Sequence, residues 1–174
     1  MKKLLLLLVI ILISCTQSKV EKPTIIDVAK IAGKSTVEVK KTLEKPTVID
    51  VTKIAGKSTI EVEEILGKPD KIESFSESTT PCKNLPCQKA YYQKDKFEIV
   101  FLNDKADWIT INDLSDYDFS EDNIEIIGLS KTPPEFKNPD NLIRWKNIEN
   151  IKEINIFNDG SNKISYLYIK VLTE

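Results

Sequence analysis

The chain predicts an α+β domain in which short N-terminal helices pack on an antiparallel β-sheet, and three observations predict it. Two consecutive 23-residue segments, 21–43 and 44–66, are near copies of each other and carry helix punctuation instead of strand alternation. From Lys71 onward apolar residues alternate with polar ones, as strands with one buried face require. Clusters of Asn, Asp, Lys and Gly separate these runs at hairpin length. A helical start followed by consecutive strands gives an antiparallel sheet with helices covering one face.

Ahead of the domain, Met1-Lys2-Lys3 leads into an apolar stretch from Leu4 to Ile13, closed by Ser14 and Cys15. A membrane-spanning helix needs ~20 apolar residues, whereas a signal h-region of ~7–15 fits this stretch. A charged start, a short apolar run and a small residue just before a cysteine resemble the lipobox of bacterial lipoproteins. There the cysteine thiol is acylated and the peptide before it is removed. Ordinary secretory cleavage after Ser14 is disfavoured by the bulk of Leu12. The reading is a signal peptide over 1–14, lipidation of Cys15 and a tether over 15–22. Each buried acyl CH₂ stabilises attachment by ~0.8 kcal/mol, and two or more chains hold stably. Thr16 follows Cys15, where an aspartate would resemble an inner-membrane retention signal. The expectation is therefore the outer membrane, on its periplasmic or surface face.

Within the repeats, Gly33-Lys34-Ser35-Thr36 recurs as Gly56-Lys57-Ser58-Thr59. A phosphate-binding P-loop also needs a glycine five positions earlier, and Val28 and Val51 stand there. The punctuation reads structurally instead. Asp50 to Ala55 forms a helical turn that Gly56 stops in the left-handed region. Ser58 caps the next helix with Glu61 as its capping-box partner. That helix runs from about Thr59 to Leu66, with Val62, Ile65 and Leu66 on its buried face. Gly67 ends it and Pro69 prevents a restart.

The first copy has the same start, Ser35 with Glu38, but Glu44 stands at the position of Gly67 and Thr42 at that of Ile65. The second copy is thus the one expected to dock, opening an α+β domain over 44–174. The first, 21–43, is expected to serve as a spacer or an extra layer, because an isolated unit below ~40 residues rarely buries enough core.

The strands follow in order. Ile72 to Ser76 reads as the first. Ala90 to Lys94 and Phe97 to Leu102 flank a tight turn at Asp95-Lys96, and Asp107 to Ile111 carries Trp108. Ile124 to Leu129 is a further apolar run in the sheet-forming part. Ile151 to Phe157 and Ile164 to Val171 make a last hairpin around Asn158-Asp159-Gly160-Ser161.

The lipobox, the punctuation Ile54-Ala55-Gly56-Lys57-Ser58…Glu61-Val62…Leu66-Gly67-Lys68-Pro69 and the following meander together resemble the SmpA/OmlA (BamE-like) lipoproteins. More broadly they resemble the β-lactamase-inhibitor-protein-like α-α-β-β-β fold. The likeness covers roughly residues 47–112. The part from Leu114 on exceeds it, as a second sheet-rich unit or a repeat of the first. The resemblance implies an envelope protein that works by binding other proteins.

Composition restricts the function classes. The chain has 25 Lys+Arg against 27 Asp+Glu, and removing Lys2 and Lys3 makes it more acidic still. Such a balance gives no drive toward nucleic acid. With Cys15 assigned, Cys82 and Cys87 remain, and an even remainder outside the cytosol suggests a disulfide. The alternatives are two free thiols or a metal pair, but zinc wants four ligands and the chain has no histidine. Asp113, Asp116, Asp118, Glu121 and Asp122 crowd one loop without EF-hand spacing and read as a solvated acidic loop.

No motif places two carboxylates across a pocket, so no catalytic residue and no cofactor are assigned. Trp108 sits in an alternating strand and reads as core. Trp145 follows Pro133, Pro134 and Pro139 in a loop-like setting, so Arg144 and Trp145 are the candidate contact residues, with core packing of Trp145 the alternative. The function expected is a non-catalytic, lipid-anchored envelope protein that binds an envelope protein partner, as an assembly factor or inhibitor-like module. The alternatives are a carrier of a small apolar ligand or lipid, favoured by an apolar cavity, and a carboxylate-based envelope hydrolase. A flat aromatic patch favours the protein binder.

Overall fold

The computed structural model describes residues 46–76, 78, 81–82 and 84–173. The expected signal peptide, the expected lipidation at Cys15, the expected tether and the first repeat copy all fall outside the described residues.

Residues 45–174 make one compact α+β unit. Its N-terminal part is a 3₁₀ turn, Val51–Lys53, and one α-helix, α1 (Thr59–Leu66). Eight strands follow: β1 (Lys71–Ser74), β2 (Cys87–Tyr92), β3 (Phe97–Leu102), β4 (Lys105–Ile111), β5 (Phe136–Asn138), β6 (Leu142–Ile148), β7 (Ile151–Asn158) and β8 (Ile164–Val171). They form one antiparallel sheet in the order β1-β2-β3-β4-β8-β7-β6-β5. Two four-stranded meanders thus meet at their last strands, β4 against β8, and each is preceded by a short helical segment. In the second half that segment is a 3₁₀ helix, Glu121–Ile127. The part beyond Leu114 therefore continues the same sheet and repeats the plan of the first half.

The helix punctuation works locally as the residue types dictate. The Asp50 side chain caps the 3₁₀ turn through the Thr52 N–H. Gly56 turns the chain at φ +74°, its N–H bonding the Ala106 carbonyl at 2.9 Å while the Ala106 N–H returns to Lys57 at 2.8 Å. Ser58 and Glu61 form a complete capping box at the start of α1. The Thr59 hydroxyl donates to Asp104 at 2.6 Å, and Lys57 lies 3.0 Å from Glu61. All four residues of the Gly-Lys-Ser-Thr run are thus engaged in turning, capping or pinning the chain.

One hydrophobic cluster unites the layers. Val51, Ile54, Val62 and Leu66 from the N-terminal segment and Ile124, Ile126 and Ile127 from the second 3₁₀ helix cover Ile99, Ile109, Leu167, Ile169 and Ile154 of the sheet. The two helical segments also bond directly, Val48 N–H to Ile126 O at 2.7 Å. Gly128, at φ +82°, lets them close: a Cβ there would lie 2.9 Å from the Asp50 Cα.

Three expectations need correction. The apolar run Ile124 to Leu129, read within the sheet-forming part, begins inside a buried 3₁₀ helix, Glu121–Ile127, and contributes no strand. Ser120 accepts from the Asp122 N–H at its start and Gly128 closes it in the left-handed region, so its ends are set by capping chemistry. Ile65 is 45% exposed, because Val62 and Leu66 alone face the sheet across an eight-residue helix. The loop-like setting of Leu142 to Trp145 is the first half of β6, whose register runs from Leu142↔Phe157 to Ile148↔Ile151.

Candidate functional site

Strand alternation sorts the sheet residues onto two faces. Largely apolar side chains, Tyr92, Phe97, Phe101 and Trp145 among them, go to the helix-covered face, and a mixed aromatic, polar and charged set goes to the other. Pairing aligns the second set into rows. Tyr91, Glu98, Thr110 and Tyr168 are successive cross-strand partners from β2 to β8. The row continues through Asn155 and Arg144 to Phe136. Beside it run Lys89, Val100, Trp108, Lys170, Glu153 and Lys146.

Aromatic rings and cations interleave across this face. Trp108 and Tyr168 meet edge-on with centroids 5.6 Å apart, and Phe157 stacks on Tyr166 at 4.5 Å. The Lys89 ammonium lies 4.7 Å from the Tyr91 ring centroid and that of Lys170 lies 5.1 Å from Trp108. The Arg144 guanidinium sits 5.9 Å from the ring of Phe136, which is 47% exposed. Contacts of this kind contribute ~0.5–1 kcal/mol each at exposed sites and more when a partner excludes water.

The carboxylates of the face are engaged. Glu98 pairs with Lys89 and accepts from the Asn112 amide at 2.8 Å. Glu73 accepts from the Tyr91 hydroxyl at 2.7 Å. Hydrogen bonding from Lys71, then from Tyr91, holds the Glu73 carboxyl below its usual range, so it remains an acceptor at neutral pH. The same bond to Glu73, together with burial, raises the Tyr91 hydroxyl. Burial, followed by the charges of Asp107 and Glu153, pushes the Tyr168 hydroxyl well above its ordinary value. Both tyrosines therefore stay protonated donors.

One corner of the face is bounded by the disulfide segment. Cys82 and Cys87 are bonded, with Cα atoms 5.4 Å apart. They form a second apolar cluster with Val100 and Leu102, against which Phe75 and Trp108 pack. Nearby, the register slips between Val100 and Phe101 and leaves Asp107 as the extra residue of a β-bulge. Asp107 is 3% exposed and accepts a hydrogen bond from Thr173.

The expected contact pair is split across the sheet. Arg144 stays on the open face, its Nε donating to Asn155 Oδ1 at 2.9 Å. Trp145 is 1% exposed and its indole N–H donates to the Thr132 carbonyl at 2.9 Å, so it is core. Trp108, expected in the core, is half-buried on the open face. Sequence alternation carried this signal: in Tyr166-Leu167-Tyr168-Ile169-Lys170-Val171 the aliphatic residues take one face and Tyr and Lys the other.

In the acidic loop, Asp118 pairs with Lys163 at 2.7 Å, Glu121 with Lys137 at 3.0 Å and Asp122 with Lys131. Depressions of about 300 Å³ beside Cys87 and Phe101 and about 480 Å³ between Thr52–Lys57 and the sheet-end residues Lys105, Asn150 and Thr173 lie at one end of the sheet.

No family model matches the chain, and no curated protein matches it. Among solved structures, a cysteine-rich secretory protein of Staphylococcus aureus aligns with 74% of this chain at 14% identity and a TM-score of 0.44. The alignment covers 48% of that protein's chain, so this chain spans about half its length.

Proposed function

We propose that the protein is a non-catalytic, lipid-anchored protein of the bacterial envelope that binds another protein through the open face of its sheet. The observation that carries the reading is the run of rings and paired charges from Phe136 to Tyr91 on a face that no helix among the described residues covers. Aromatic and arginine side chains dominate binding hot spots, surrounded by contacts that exclude water, and this face supplies both. Placement outside the cytosol is supported by the Cys82–Cys87 bond and by the Leu4–Cys15 segment. Acylation of Cys15 supplies the anchor in this reading, and the outer membrane is the favoured site because Thr16 follows it.

Native electrophoresis of gently solubilised membranes tests it. Tyr91→Ala with Arg144→Ala is expected to convert a larger complex to the free protein, while Ile60→Ser on the opposite layer leaves the complex intact. A complex insensitive to the open-face pair but lost with Ile60→Ser would move the binding surface to the helical side. In parallel, Cys15→Ser is expected to shift the protein from the membrane to the soluble fraction without changing its melting temperature.

A further inference from the structure

We propose that the groove seating the second repeat copy accepts residues 21–43 in its place, so that one socket can display either of two helix faces of opposite charge. This rests on no property of the open sheet face. The two copies differ only at positions that are not buried in the second copy. Over 23 residues they differ at six positions, Ile25/Val48, Ala29/Thr52, Val37/Ile60, Lys40/Glu63, Lys41/Glu64 and Thr42/Ile65. None of the six second-copy residues is buried, and Ile60 is 71% exposed.

The five buried residues of the second copy, Val51, Ile54, Ala55, Val62 and Leu66, are matched identically by Val28, Ile31, Ala32, Val39 and Leu43. Most residues that turn, cap and pin the segment are matched as well: Gly33, Ser35, Thr36 and Glu38 stand for Gly56, Ser58, Thr59 and Glu61, while Ala29 lacks the hydroxyl that Thr52 donates to Asp50. The first copy thus has the side chains needed to bond Asp104 and Ala106 and to fill the apolar groove. Seated there, it would place Lys40 and Lys41 where Glu63 and Glu64 now face outward. The displayed surface would change from acidic to basic, and with it the sign of the partner surface it complements.

Two effects keep the second copy seated at rest. Glu44 occupies the position of Gly67, whose φ is +87°. Looping out the intervening 23 residues also disfavours exchange by roughly a hundredfold, from the (3/2) ln n dependence of loop closure. Both disappear when 44–66 are deleted, because Leu43 then joins Gly67 directly.

The test compares the full chain with chains lacking 21–43 or 44–66, followed by thermal unfolding. The chain lacking 44–66 is expected to unfold cooperatively within ~5 °C of the one lacking 21–43, the shift expected when less than about 1 kcal/mol separates them. Val62→Asp is expected to abolish the transition in the chain lacking 21–43. In the full chain the same substitution should leave a transition that Val39→Asp then removes. Failure of the 44–66 deletion to fold, or equal damage by Val62→Asp with and without residues 21–43, would overturn the proposal.

Discussion

The indole of Trp108 meets the phenol ring of Tyr168 edge-on at 81°, and the contact bridges β4 and β8, the seam where the two halves of the sheet join. One side of the indole environment is the disulfide cluster and the other is the open face. Trp108 is therefore a built-in optical probe of both the seam and the open face.

The two tryptophans should respond to substitution in opposite ways. Trp145→Ala removes a buried ring and strands the Thr132 carbonyl, and is expected to cost about 3–5 kcal/mol, as for other buried aromatics cut to alanine. Trp108→Ala, from a half-buried position, is expected to cost roughly 1–2 kcal/mol on the same scale. Urea unfolding at constant m-value measures both, and a larger loss at Trp108 would reverse the two assignments.

Tyr92 gives an alkaline prediction. Its ring is fully buried, and among the described residues its hydroxyl finds no hydrogen-bond partner. Burial, with the Glu63 charge, pushes its pKa up to about 12, above the ~10 of an unfolded tyrosine. The folded state thus favours the protonated form, and the associated stability is present below pH ~10 and lost as pH rises through the folded value. Tyr92→Phe is expected to flatten part of that alkaline decline, the rest belonging to Tyr168 and Tyr91. At neutral pH it should stabilise by about 1 kcal/mol, because it removes an unsatisfied buried donor.

Glu61 gives the acid counterpart. The Ser58 N–H, then Lys57 and the Ser58 hydroxyl, hold its pKa at about 2, below the ~4.3 of a free glutamate. Its contribution is present above that free value and is lost as pH falls toward the folded one. Glu61→Gln keeps the capping geometry and removes the titration. The fall in melting temperature between those pH values is expected to be shallower in this variant than in the unsubstituted protein.

Two glycines separate backbone strain from crowding. A Cβ at Gly67 would meet nothing within 4 Å, so Gly67→Ala reports only its φ of +87° and ψ of −177°, a region that costs about 1–3 kcal/mol for other residues. At Gly128 the Cβ would also collide with the Asp50 backbone. Denaturant titration is expected to show the greater loss at Gly128, with separation of the two helical segments.

Reducing the disulfide should act locally. The cross-link closes a short loop, with Cys82 and Cys87 five positions apart, so its loss is expected to cost about 2 kcal/mol. Trp108 emission should shift to longer wavelength while that of Trp145 stays fixed, as single-tryptophan variants would resolve.

Local chemistry made much of this fold legible in the sequence. Ser58 with Glu61, Gly56 and Gly67 placed α1 to the residue, because caps act within one turn of their own side chains. The strands around Phe97–Leu102 and the last hairpin were readable for the same reason, since alternation and the Asn158–Ser161 turn are local. The 3₁₀ helix was misread because Ile124, Ile126 and Ile127 are buried nearly all round its short length, which erases the periodicity that distinguishes helix from strand. Its capping signals, Ser120 and Gly128, were present in the sequence.

The candidate site was harder to read. Which of two apolar faces is covered depends on helices distant in sequence, so Trp108 was placed in the core when it lies half-buried on the open face, and of the two readings of Trp145 core packing holds. Arg144, a candidate contact residue, lies on the open face, but its neighbours Phe136, Asn155 and Glu153 come together only through the register of β5, β6 and β7.

Site-specific photocrosslinking in native membranes tests the central claim most directly, with a photoreactive residue placed at Thr110, in the middle of the open face, or at Glu64, on the outer side of α1. One discrete protein adduct is expected from Thr110, and it should disappear when Trp108 and Tyr168 are both changed to alanine. An adduct from Glu64 alone, or a Thr110 adduct indifferent to the loss of both rings, would contradict that claim.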